Sequence, residues 1–361
     1  MKLTKNRFIL NHWILCFFLL LGFSLSAQAA EEVKKDVDVK GLVFGHINDA
    51  YAWHITTING NPISIPLLVI VHGQKGWDAF CASKLGKEGE LTYNGYHISK
   101  DGDNSGKVVE MVNGKECRPL DISITKNVFS LLLISGILLF VFLSIAKKYK
   151  KNPLSVPTGM QAYLEPLILA IDEDVTKSCK GKNYKKFSPY ILTAFFFVLI
   201  TNLMGIIPIF PGGANVTGNI AITFVLATLT FLITNFSAKK SYWKDVFWPD
   251  VPIWLKVPVP IMPFIEIIGI FTKPIALMIR LFANMLSGHI MQLILVGLIF
   301  IISVKISPIA GGGVSIVSIL LAVFMDLLEV LVSLIQAYVF ATLSALFIGL
   351  AQEEPEPEKI K

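Results

Sequence analysis

The chain has 361 residues, of which 53% are hydrophobic and only 16% charged, a balance that excludes a large water-soluble fold and places it among integral membrane proteins. Its net charge of +6 is no nucleic-acid signal, because lysine and arginine gather in short runs beside apolar segments, as in the cytoplasmic loops of membrane proteins. No Walker A loop, HExxH, GxSxG or CxxC motif occurs, so no enzyme site, metal or cofactor is expected.

Residues 1–29 have the layout of a secretory signal peptide. Lys2, Lys5 and Arg7 form a basic start, Trp13 to Leu25 an apolar core, and Ala27-Gln28-Ala29 a cleavage site of A-x-A type. A retained first membrane helix is the alternative, for which the apolar core is short. Residues 30–126 are polar and read as a small β-rich extracytoplasmic domain. The run from Trp53 to Val71 predicts two strands about an Asn-Gly turn, and further Asn-Gly pairs at 94–95 and 113–114 predict more hairpins. Cys81 and Cys117 would share an oxidising compartment that permits a disulfide, two separate thiols being the alternative. His46, His54, His72 and His97 show no metal-ligand spacing.

The membrane-embedded region is expected over residues 127–352, as an all-α polytopic fold of about five embedded helices and one interfacial helix. Val128–Ala146 is the first span, closed by the cytoplasmic cluster Lys147–Lys151. The stretch from Val156 to Asp174, with Leu164, Leu167, Ile168 and Ile171 as its apolar face, is too short and acidic to cross and reads as the interfacial helix. Tyr190 to Pro208 returns outward and Ile220 to Phe236 goes back inward. Trp243, Trp248 and Trp254 follow, as an interfacial belt would. Two apolar segments, 262–304 and 314–350, are too long to stand upright across a hydrocarbon core of about 30 Å. They predict a strongly tilted hairpin, turned by Gly311 to Gly313. Residues 353–361 form a charged cytoplasmic tail.

Within the first of these segments stands Arg280. A charge at the bilayer centre costs roughly 2.5–3.5 kcal/mol on insertion scales, so its presence demands a use. At helical spacing Glu266, Lys273, Arg280, Asn284 and Ser287 fall within about 60° of one face, with His289 opposite. The last helix carries Asp326, Glu329, Ser333 and Gln336, and Glu329 and Gln336 share a face. Polar groups between helices serve as glue at about 0.6 kcal/mol each, which suits Ser333 better than a permanent cation. A guanidinium stays protonated and cannot relay a proton, whereas carboxylates and histidine can. The pattern is that of an ion path.

Five motifs stand in order: Val156-Pro-x-Gly-x-Gln161, Asn202-Leu-Met204 with Pro208, Asn215-Val-Thr217, Lys273-Pro…Arg280-Leu-Phe-Ala-Asn284-Met…Gly288, and Leu334-Ile-Gln336-Ala-Tyr-Val-Phe340. Over roughly residues 127–352 the chain resembles subunit a of F-type ATP synthases, the non-catalytic stator subunit beside the rotating c-ring. The resemblance implies that Arg280 faces the carboxylate of each passing c subunit and separates two aqueous half-channels. It implies that Asn284 and Gln336 flank the arginine, and that Glu266, His289 and Glu329 line the access path. His289 and Glu329 are the reverse of the carboxylate–histidine pair some members carry. The implied partners are the c-ring, b subunits, the lipid bilayer and translocated protons, with Na⁺ as the alternative ion. The implied location is a bacterial inner membrane, N-terminus periplasmic and C-terminus cytoplasmic. The signal and polar front exceed what the resemblance accounts for. An independent cation channel or secondary transporter is the rival, though no inverted repeat supports it. An intramembrane protease would need a dyad that Asp326 alone does not make.

Overall fold

The computed structural model describes residues 49–58, 61–85, 92–99, 104–112, 114–151, 156–177, 184–207, 211–248, 261–305 and 308–353. The expected signal peptide, the charged tail beyond 353, His46, Cys179, Pro208 and Trp254 lie outside these residues. The chain divides into two compact units. One comprises residues 49–55, 64–287 and 329–361; the other comprises 1–48, 56–63 and 288–328.

Among the described residues eight strands precede the α-helices: β1 (Ala52–Ile58), β2 (Asn61–Pro66), β3 (Leu68–Gly73), β4 (Gly76–Cys81), β5 (Tyr96–Ile98), β6 (Val108–Val112), β7 (Lys115–Cys117) and β8 (Leu120–Asp121). They form a β1–β2 pair and two three-stranded sheets, ordered β4-β3-β8 and β5-β6-β7. Alternation dictates the packing. Val69 and Val71 of β3 and Phe80 of β4 point inward, where they meet Tyr96 of β5 and Val108 of β6 in one core. The Asn-Gly expectation holds at two turns. Asn94 and Gly95 both have positive φ between the bridged Tyr93 and Tyr96, and Gly114 has φ 76° between the paired Val112 and Lys115. Cys81 ends β4 and Cys117 ends β7, on different sheets, and both are free thiols.

Helix α1 (Lys126–Lys151) leaves the strands without a linker. Its first turn is fixed by Asp49, whose carboxylate accepts from the Asn127 backbone N–H at 3.0 Å, an anion at a helix N-terminus. Helix α2 (Met160–Ala170) continues into a π-helical turn at Ile171–Thr176, where the Thr176 hydroxyl donates to the Ile171 carbonyl. Leu164, Leu167, Ile168 and Ile171 pack on the helical core, as the amphipathic pattern predicts. That core centres on α3 (Tyr184–Ile206), which buries Ile191, Phe195, Phe196 and Val198.

Helix α4 (Ile220–Phe236) begins where the Asn219 carboxamide oxygen accepts from the Ala221 N–H. It buries Thr223, Ala227, Thr230 and Thr234, a stripe of small side chains at helical spacing that lets neighbours approach closely. Helix α5 (Lys240–Phe247) turns from it by 102° and exposes Trp243.

Helices α6 (Ile261–Lys305) and α7 (Pro308–Ala351) have 45 and 44 residues, which is about 66–68 Å each. Among the described residues four helices are long and apolar enough to cross a membrane, or five if the bent α4–α5 pair is one span. The expected glycine turn is corrected: Gly311 to Gly313 lie inside α7, which starts at Pro308, a residue pre-set for a helix's first turn. A Cβ on Gly311 would come within 2.6 Å of the Ser303 Cβ, so this glycine admits close packing between the two helices.

Candidate functional site

The site is built on one side of α6. Leu277 and Leu281, one turn apart, are buried in the same core as Ile191 and Phe195 of α3 and Ala337, Phe340 and Ala341 of α7. They fix the rotation of α6. Arg280 lies about 60° round the helix from Leu277 and 100° from Leu281, so it projects beside the packed seam. It is exposed, as are Ala276, Ala283 and Ser287 at the neighbouring helical positions. The guanidinium therefore stands on a strip of small side chains. Among the described residues it forms no ion pair.

The other polar residues of this face differ in surroundings. Asn284 is half-buried. Lys273 sits with its ammonium 5.9 Å from the centre of the Phe347 ring, at the edge of a small, partly open pocket. Thr234, Asn235, Tyr242 and Pro274 also line that space. Glu266 is half-buried, and its carboxylate acts electrostatically on the Tyr242 phenol.

On α7, Glu329, Ser333, Gln336 and Phe340 follow one another at helical spacing on one face. Glu329 and Ser333 are buried, while Gln336 is half-buried. The same helix face reaches Ser344, whose hydroxyl lies 3.3 Å from that of Thr230, itself 2.6 Å from the Tyr190 hydroxyl. This chain of hydroxyls ties α3, α4 and α7 together. His289 belongs to the other unit, where the Gln292 carboxamide donates to the Asp326 carboxylate at 2.7 Å and so links α6 to α7. Sequence reasoning noted Asp326 but not its bond to Gln292. Arg280, Asn284, Glu266, Glu329 and Gln336 thus belong to one unit, and His289 to another. Among the described residues no group of three His, Cys, Asp or Glu side chains is placed to hold a metal ion.

Two motifs meet at the opposite end of α3. The Thr217 hydroxyl donates to the Asn202 side-chain oxygen at 2.6 Å, and the Asn215 side-chain oxygen accepts from the Gly218 N–H. Trp53 from β1 is buried against Ala214 and Val216 of this loop, with Phe129 of α1 meeting its ring edge-on at 5.9 Å. The strands are therefore seated on the loop between α3 and α4.

Residues 128–349 match the family described as ATP synthase A chain, and residues 42–124 match a domain of unknown function, DUF8433. The chain is 43% identical over 243 residues to an ATP synthase subunit a of Chlorobium phaeobacteroides (strain DSM 266), covering 65% of this chain and 67% of that one. It is 45% identical over 246 residues to an ATP synthase subunit a 2 of Chlorobaculum tepidum, covering 65% of each. In these two the alignment spans about two thirds of the relative. With the ATP synthase subunit a of Chlorobium phaeobacteroides (strain BS1) it runs over 354 residues at 43% identity, covering 96% of this chain and 94% of that one. The polar front, in excess of the motif-based resemblance, therefore recurs in at least one relative.

Proposed function

The chain belongs to the ATP synthase A chain family, and from that membership we propose that it holds the stator side of a rotary proton path, with Arg280 facing the c-ring. The observation that carries this reading is the exposure of Arg280 on a strip of small residues while Leu277 and Leu281, on the adjoining side of its helix, are buried in the packed seam. An apolar helix that presents an unpaired cation outward needs a partner to supply the counter-charge.

The chemistry follows from the residue types. A carboxylate on a passing c subunit stays protonated while it faces lipid, because burial disfavours its ionised form. Beside a guanidinium at about 4 Å and an effective dielectric near 20, attraction worth about 4 kcal/mol lowers its pKa by roughly three units. The proton leaves towards one half-channel, and the carboxylate is reprotonated from the other after it has passed. Arg280 keeps its own proton and blocks direct flow between the two paths. Asn284 and Gln336 flank the arginine. Glu266, His289 and Glu329 supply the titratable groups of the access path. The chain makes and breaks no bonds itself.

The basic clusters support one orientation. Lys147 to Lys151 end α1, Lys185 and Lys186 begin α3, and Lys239 and Lys240 follow α4, so alternate crossings gather all three on one side. That side is read as cytoplasmic, in a bacterial inner membrane. The strands, seated at the far ends of α1 and α3, are then periplasmic.

Disulfide trapping in membranes tests the reading. Ala283→Cys, exposed beside Arg280, should cross-link to cysteines on the outer helix of the c subunit at the depth of its carboxylate. Leu277→Cys, buried in the seam, should not. If Ala283→Cys fails to cross-link at every depth with both subunits present, the rotor-facing assignment is wrong.

A further inference from the structure

The sheet β4-β3-β8 departs from the pattern of a sheet with water on one side. Its inner face carries Val69, Val71 and Phe80, all buried. Strand register then assigns the outer face. His72 lies opposite Trp77 and Leu120, and Ile70 lies opposite Ala79. The pairing of β8 continues past its assigned end, because the Ile122 N–H donates to the Ile70 carbonyl and the Ile124 N–H to that of Leu68. Cys81 completes the row of Leu68 and Ile124. The outer face is thus three rows: Trp77–His72–Leu120, Ala79–Ile70–Ile122 and Cys81–Leu68–Ile124.

None of these nine positions holds an acid, a lysine or an arginine. Trp77 is 62% exposed, Ile122 58%, Leu120 57% and Leu68 43%. A half-solvated antiparallel sheet alternates apolar inside with polar outside, whereas this one places its two acids, Asp78 and Asp121, in the row of Val71 on the inner side and leaves the outer side without any. A contiguous patch of this kind marks a surface covered by something apolar.

The course of the chain beyond the sheet points to what covers it. Ile124 stands four residues before Val128, which begins the exposed stripe Val128, Leu132, Leu139 and Leu143 of α1. The junction is not a hinge: the Lys126 N–H donates to the Ala50 carbonyl at 2.9 Å and the Asn127 N–H to Asp49 at 3.0 Å. The strand that carries this face therefore runs into a membrane helix through a junction fixed by hydrogen bonds. At the far end of the face, Trp77 touches the His72 ring edge-on at 4.8 Å, and Lys75 and Arg118 are exposed beside it. Tryptophan with basic neighbours is the composition of a membrane–water interface.

We propose that this face lies against the leaflet from which α1 emerges, so that the β-rich region is a lipid-seated platform whose occupant is headgroups and upper acyl chains. The first and last rows are four residues apart, about 13 Å along the strands. The headgroup layer on one side of a bilayer is only about 5–8 Å deep, so the strands lean towards the membrane plane.

The test uses the full chain in its assembled complex, reconstituted in liposomes, with the four native cysteines replaced by serine. A polarity-sensitive fluorophore is attached at Leu68→Cys, Ala79→Cys, Trp77→Cys or Leu120→Cys, and at the exposed strand residue Lys115→Cys as a water-facing control. Ala79→Cys is the mild variant that keeps the question answerable should Trp77→Cys fold poorly. We expect the face positions to lose most of their emission to lipids bearing a nitroxide near the headgroup and little to aqueous iodide, with the control behaving oppositely. Quenching by iodide would mean a bare surface. Protection from both quenchers would mean a protein occupant, such as another subunit or residues 1–48. Nitroxide quenching confined to the Leu68 row would leave the platform unseated. Each of these three results overturns the proposal.

Discussion

The Thr217 hydroxyl donates to the Asn202 side-chain oxygen at 2.6 Å, and both side chains are buried where α3 ends and the loop into α4 begins. Their motifs lie apart in the sequence and meet as one hydrogen bond. Thr217→Val keeps the volume but leaves the Asn202 acceptor without its donor, at a cost of about 1–3 kcal/mol. A lowered melting temperature of the detergent-solubilised complex is expected. Asn202→Leu combined with Thr217→Val should lose less than the two single losses summed, since it removes both partners. Strict additivity would show that the bond contributes nothing.

Trp53 is the seat of the β-rich region on the helices, packed on Ala214 and Val216 with the Lys126 ammonium 5.8 Å from its ring. Trp53→Ala should cost about 3–5 kcal/mol of local stability, the range for deleting a buried aromatic. Limited proteolysis should then cut between Asp121 and Lys126 far faster than in the unaltered chain. An unchanged cleavage rate would show that the strands are held by other contacts.

Tyr51 should give the β-rich region an alkaline limit. Burial, and then the hydrogen bond it donates to Asp121, hold its phenol well above the ordinary value of about 10. The folded state thus keeps a proton that the unfolded state loses, so stability is full below about pH 10 and declines as pH rises towards the raised folded value. Tyr51→Phe removes that proton from the balance. It should unfold less steeply with rising pH while losing about 1 kcal/mol near neutrality, as read from alkaline titrations of tryptophan fluorescence. Identical alkaline limbs in the two proteins would exclude Tyr51 as the titrating group.

These relationships show what could be seen in the sequence. Long apolar runs bounded by lysines announced α1, α4, α6 and α7, because a bilayer demands continuous apolar length and the chain has few other ways to supply it. Asn94-Gly95 and Asn113-Gly114 announced hairpins because few other pairs adopt positive φ without strain. Arg280 was visible through its cost. The seating of Trp53 on Val216 was not, since 163 positions separate them and no local pattern encodes a tertiary contact. The glycines at 311–313 misled in a related way: glycine permits a turn and also permits close helix packing, and only the contact of Gly311 with Ser303 decides between them. The buried Thr223–Thr234 stripe was passed over because threonine in a span reads equally well as lipid-compatible or as interhelical.

Arg280 gives the sharpest prediction. If its charge both strips protons from the rotor and separates the half-channels, Arg280→Ala removes two functions at once. Inverted vesicles should show no ATP-driven acidification by dye quenching, while ATP hydrolysis by the soluble sector continues. Passive proton flow down an imposed gradient should rise, because no fixed cation then stands between the paths. Arg280→Lys should also fail to pump, since a desolvated ammonium can give up its proton and offers no planar fork to a carboxylate. Coupled pumping in Arg280→Ala would remove the arginine from the mechanism. Normal pumping in Arg280→Lys alone would show that positive charge suffices, and that the geometry beside Ala276 and Ala283 serves only to let the rotor approach.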